Sequence, residues 1–204
     1  CGSFDPLIPY LMAELNLHIV AMDEPGCGFS SHKPVGSDYE RWGTLRDMKR
    51  VIQFMGWKKV TLLGHSQGAH YSFIFAATYP EIVERVISID MVKPLTLKIK
   101  PNVKPVRDAI ETRLKYDIKI IDDSSPPVYS EDEAANKWIE SSGNSVNERS
   151  VKILLKRGSK KVNGGVIFTR DIRLKLRGID PLPSNEVMLQ MLSNIRCDLL
   201  VIDA

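Results

Sequence analysis

Gly64-His65-Ser66-Gln67-Gly68 is the segment with the most evident chemistry in this 204-residue chain. It matches G-x-S-x-G, directly after the apolar run Val-Thr-Leu-Leu at 60–63 and directly before a helix-forming stretch. That context puts a serine on a tight strand-to-helix turn, so small residues are required two positions before and two after it; Gly64 and Gly68 supply them. The turn would present Ser66 Oγ at the carboxyl edge of a sheet, over the amino end of a helix whose dipole and unpaired N–H groups favour a developing anion. The chemistry this suits is nucleophilic attack on a carbonyl, with the Gln67 backbone N–H as one donor to the oxyanion.

Such a serine needs a base, and the chain offers four histidines. His65 adjoins Ser66 in the turn, where its side chain must point elsewhere. His70 lies one helical turn on, along a helix leading away from the pocket mouth. His18 opens a strand at its amino end, opposite the reactive edge, and His32 sits in a loop. None is well placed as the base.

The elements that position these residues follow from hydrophobic spacing. Near-continuous apolar runs at 18–22, 60–63, 86–89 and 199–202 read as strands of a parallel sheet covered on both faces. Residues 44–55 read as a helix opened by Thr44 with Asp47 three residues on and closed by Gly56; residues 67–79 read as a second, stopped by Pro80. Strand, helix, strand, helix, strand implies right-handed crossovers in an α/β layer fold. Three parts are expected: residues 1–90 as the first part of the core, 91–186 as an inserted and mostly helical segment, and 187–204 as the return to the core. The insertion is the more basic, with 19 Lys+Arg against 13 Asp+Glu. Within it Val106, Ile110, Leu114 and Ile121 share a helical face. Ser130 with Glu133 and Ser145 with Glu148 read as capping boxes, and Gly158 ends a helix. A last helix over 185–195 is introduced by Ser184.

Composition excludes several classes. Hydrophobic residues at 43% and charged residues at 26% describe a globular chain rather than a disordered or coiled-coil one. No apolar run approaches the roughly 20 residues of a membrane span. A net charge of +3 is too weak to imply nucleic acid. Cys1, Cys27 and Cys197 form no paired C-x-x-C, so no metal or cofactor is expected, and reduced thiols point to a cytoplasmic protein. The basic run at Lys152, Lys156, Arg157, Lys160 and Lys161 reads as a solvated face. Because the chain opens at Cys1 in what reads as a loop and stops just after an apolar strand, it is expected to be a fragment lacking both ends.

The stretch Asp23-Glu24-Pro25-Gly26-Cys27-Gly28-Phe29-Ser30, D-x-x-G-x-G-x-S after one strand, followed by G-H-S-x-G after the next, resembles the α/β-hydrolase superfamily. Within it, SFDPLIP at 3–9, LKRG at 155–158 and FTRDIRL at 168–174 are similar to the serine hydrolase-like protein family. The resemblance implies an α/β-hydrolase fold with a cap formed by residues 91–186. It implies a Ser66 acyl-enzyme formed from small acyl substrates, carboxylic esters foremost; a non-catalytic binding member of the fold is the alternative. Serine rather than aspartate at 66 argues against dehalogenase or epoxide-hydrolase chemistry. The family's histidine follows the final strand, which here lies beyond Ala204, so the chain by itself is expected to be inactive or nearly so. Its acid stands either at the strand end occupied by Asp90 or in the loop after the next strand, past Ala204. On either reading Asp90 also ends the strand at 86–89.

Overall fold

A computed structural model describes residues 2–96, 103–121, 126–179 and 182–203. The chain divides into two compact units. Residues 2–39 with 109–176 form one, and residues 40–108 with 177–203 form the other.

The second unit holds the sheet. Helix α2 (Arg41–Phe54) leads to β1 (Val60–His65), α3 (Gln67–Thr78) and β2 (Val83–Ile89); after the excursion of the chain, α7 (Asn185–Leu192) leads to β5 (Asp198–Ile202). The strands are parallel in the order β1-β2-β5, with Leu62 opposite Val86 and Val86 opposite Leu199. The core is mainly apolar. Leu45 and Ile52 of α2, Tyr71, Phe73, Ile74 and Phe75 of α3, Val60, Val83 and Val86 of the sheet and Met188 of α7 form one buried cluster. Helix α3 is buried along nearly its whole length, which is why its sequence is apolar on every side rather than along one stripe.

The first unit contains α1 (Ile8–Glu14), most of α4 (Lys104–Ile121), α5 (Glu131–Ser141), α6 (Glu148–Gly158) and an antiparallel hairpin of β3 (Ser159–Val162) and β4 (Gly165–Phe168). A 3-10 helix follows at Ile172–Ile179. Arg173 and Asp171, both 3% exposed, form a bidentate pair with Nε–Oδ1 3.1 Å and Nη2–Oδ2 2.7 Å. The remaining guanidinium donors go to the carbonyls of Lys33, Pro34 and Ser37, and Tyr39 donates to Asp171 at 2.7 Å. Burial alone would raise the Asp171 pKa, but the hydrogen bonds from Arg173 and Tyr39 outweigh it and hold the carboxyl below its ordinary value. Tyr39 is pushed up to about 12, first by burial and then by the carboxylate it serves. A second tie joins Arg157 Nη1 to Asp23 Oδ2 at 2.8 Å. Asp23 also accepts from Phe29 N–H, and any side chain at Gly28 (φ 55°) would overlap its carboxyl. The Gly-rich loop at 23–30 is thus wrapped on a carboxylate.

Several local expectations are corrected. Residues 18–22 form no strand; the segment belongs to the unit without the parallel sheet, and β-propensity only reports fit to a pleated surface. Helix α2 begins at Arg41, capped by backbone geometry at Glu40 rather than by Thr44. Ser130 and Glu133 do form a capping box, whereas α6 is capped by Asn147, whose side chain accepts from Ser150 N–H, in place of Ser145. The insertion includes a β-hairpin as well as helices. Val106, Ile110, Leu114 and Ile121 do share a face of α4, but that face is exposed. The opposite side packs, with Arg113 bonded to Asp38, Asp117 and the Ser37 carbonyl.

Candidate active site

Parallel pairing places the ends of β1 and β2 side by side, with His65 opposite Ile89. The ladder then runs one bond past each strand: Ser66 N–H donates to Ile89 O at 2.9 Å, and Asp90 N–H donates to Ile202 O at 2.8 Å. Both residues then turn into left-handed backbone, Ser66 at φ 49° and Asp90 at φ 57°. Only one other non-glycine residue among the described ones does so, Asn144. Backbone strain of this kind costs on the order of 1–3 kcal/mol and persists where the surroundings over-determine it. Here the sheet ladder and the start of α3 supply that constraint on Ser66.

The two flanking glycines play unequal parts. A Cβ on Gly64 would overlap the backbone of Gly68 and Ala69, so the turn closes only around a glycine. At Gly68 a Cβ meets nothing within 4 Å, which corrects the expectation that both positions demand a small residue.

Ser66 stands at the N-cap of α3, yet its hydroxyl makes no capping bond. Oγ is half-buried and has no hydrogen-bond partner among the described residues. Gln67 N–H is among the first helical donors and has no partner within the helix, as an oxyanion donor requires. The Gln67 side chain is tied back, its Nε2 donating to Tyr71 Oη at 3.0 Å.

No histidine hydrogen-bonds Ser66. His65 Nε2 lies 3.8 Å from Asp90 Oδ2, both side chains being about half exposed, a pairing the sequence reading missed. The signal that could have found it is a histidine shortly after the run at 60–63 and an aspartate directly after the run at 86–89, the ends of two strands that pair. His70 is 1% exposed, and its Nδ1 accepts from Leu95 N–H at 3.1 Å. Burial, with the Arg41 charge adding to it, holds its pKa down to about 4, so it is a neutral core histidine. His32, in the other unit, bonds Thr169 O at 2.8 Å and lies 3.4 Å from Asp171. His18 is exposed. Cys27 and Cys197 form no disulfide among the described residues, and Cys1 lies outside them. No described helix is long and apolar enough to cross a membrane.

Residues 1–118 match the model of the alpha/beta hydrolase fold family. A "Probable serine hydrolase" of Drosophila melanogaster is 37% identical over 179 residues, 86% of this chain and 53% of that protein. A "Serine hydrolase-like protein" of Danio rerio is 33% identical over 178 residues, 87% of this chain and 53% of its own length. The chain therefore spans about half the length of the curated relatives it matches. The crystal structure of a hypothetical protein from Pseudomonas aeruginosa PAO1 superposes with a TM-score of 0.85 at 28% identity, covering 100% of this chain and 69% of that one. With the G-H-S-x-G turn, its strained serine and the parallel sheet behind it, the chain belongs to the α/β-hydrolase fold family.

Proposed function

We propose that the full-length protein is a serine hydrolase acting on small acyl substrates, carboxylic esters foremost, through an acyl-enzyme on Ser66. The observation that carries this is the left-handed, glycine-enclosed Ser66 at the carboxyl end of β1, with its hydroxyl uncommitted. The names of the relatives from fly and zebrafish support it.

In the reaction Ser66 Oγ attacks the ester carbonyl while a histidine takes its proton. The carbonyl oxygen becomes an oxyanion facing Gln67 N–H. The carbonyl then re-forms, and the alcohol leaves with the proton returned by the histidine. Water repeats the sequence on the acyl-enzyme, releasing the acid and restoring Ser66. The histidine belongs to the part of the protein outside this chain: His70 is buried and accepts from Leu95 N–H, His32 is bonded to Thr169 O, and neither His65 nor His18 hydrogen-bonds Ser66. Asp90 is the carboxylate that orients it, held by a backbone bond at the adjacent strand end. Residues 91–186 supply a cap that sets the substrate range. The 204-residue chain alone turns over on the order of 10⁶-fold more slowly than the whole protein, the usual loss when such a base is removed.

A fluorophosphonate probe tests the nucleophile. The full-length protein is labelled, Ser66→Ala is not, and short-chain aryl esters give a burst of aryl alcohol that Ser66→Ala lacks. Equal labelling of the two proteins would remove Ser66 from the mechanism; no labelling of either would leave a binding protein built on a hydrolase fold.

A further inference from the structure

Wholly within the sheet-bearing unit, with His70, Tyr71 and Ile74 of the helix that Ser66 caps in its wall, is a cavity of about 180 Å³. Its walls are Trp42 and Leu45 of α2, Tyr71 and Ile74 of α3, and Leu182 and Pro183 just before α7. Two features distinguish it from a packing defect. Tyr71, in the wall, accepts the hydrogen bond from the side chain of Gln67, the residue whose backbone N–H faces the proposed oxyanion. His70, also in the wall, has Nδ1 engaged by Leu95 N–H, which fixes the ring proton on Nε2 and leaves that N–H as the donor the ring can offer.

The geometry points to a binding subsite for an uncharged, phenyl-sized or branched aliphatic group carrying one oxygen acceptor. Size, polarity and charge each argue for this. An apolar cavity of about 150 Å³ holds benzene, so this one admits a single substituted ring or a short branched chain. The aromatic faces of Trp42 and Tyr71 suit a ring, and a single imidazole N–H suits one acceptor rather than a carboxylate. Glu40 and Arg41, which also line it, bring one charge of each sign, so the wall favours neither an anion nor a cation. The inference deepens the hydrolase reading and rests on it for its last step: the group bound here is the acyl or alcohol part of the ester cleaved at Ser66, and substrates with such a group are selected over acetate esters.

p-Cresol is the probe, titrated calorimetrically into the full-length protein. It binds saturably. Benzoate, of the same size but anionic, binds at least about tenfold more weakly. Leu182→Trp, which fills the cavity from a half-buried loop position, weakens cresol at least about tenfold, and Trp42→Ala, which strips an exposed wall, weakens it several-fold without touching the core. Saturating cresol slows fluorophosphonate labelling of Ser66 several-fold. Absence of saturable binding, unchanged affinity in both variants, or benzoate binding as tightly as cresol would overturn the subsite. Cresol binding with an unchanged labelling rate would sever the cavity from Ser66. Because calorimetry needs no turnover, cresol binding with no labelling would retire the hydrolase and keep the cavity, while labelling with no cresol binding would do the reverse.

Discussion

The two units solve the same problem, a buried interior, with different interactions. Around the sheet the interior is mainly aliphatic and aromatic, and the elements that line it show their buried residues in their own spacing. Around Asp171 the interior is a buried ion pair whose partners are peptide carbonyls and a tyrosine drawn from 132 to 140 residues away. Apolar packing tolerates exchange among similar shapes, whereas a buried pair is strongly destabilised when one partner goes because the other is left charged and dry. The first unit is therefore the more brittle to single substitutions.

The sharpest test of that contrast is Arg173→Met. Leaving Asp171 uncompensated costs about 3–5 kcal/mol, read by chemical denaturation, and amide exchange accelerates through residues 26–39 while α3 and β2 keep their protection. Uniform acceleration across both units would break the comparison. Next in size is Gly64→Ala, which loses about 3 kcal/mol and fluorophosphonate labelling together, because the Cβ has only backbone to push against. Gly68→Ala stays close to the parent protein in both. The third concerns pH. His70 titrates near its ordinary 6.5 when unfolded and at about 4 in the folded chain. The stability this represents is complete above pH 6.5 and is lost as pH falls toward 4, about 2–3 kcal/mol between pH 7 and 4.5. His70→Asn, which keeps an acceptor for Leu95 N–H, flattens that slope in urea titrations. The smallest is a cap exchange: Asn147→Ala costs about 1 kcal/mol and Ser145→Ala almost none.

The same contrast explains what could be read from the chain in advance. The strands at 60–63 and 86–89 and the helices after Ser66 and Ser184 announce themselves, because burial imposes local patterns on them, and the strand at 199–202 by its apolar run although its side chains are exposed here. Ser66 was legible for the same reason: a strand, two glycines and a helix are contiguous in sequence. Asp23 with Arg157, or Tyr39 with Asp171, leave no local trace, since a hydrogen bond does not constrain the residues between its ends. Periodicity also says which residues of α4 share a side but not which side turns inward, and there Arg113 and its carbonyl partner decided. The expected cap Ser145 with Glu148 matched a capping-box spacing, but the path of the chain put the N-cap at Asn147.

The order of the sheet has a kinetic consequence. Val86 pairs with Leu62, 24 residues earlier, and with Leu199, 113 residues later. Closing the longer loop costs about 1.4 kcal/mol more chain entropy for the same ladder, so β1, α3 and β2 can assemble as a nucleus while β5 is still searching. Substitutions in α3 should slow folding, those in β5 should mainly hasten unfolding, and the turn carrying Ser66 is formed before the last strand arrives.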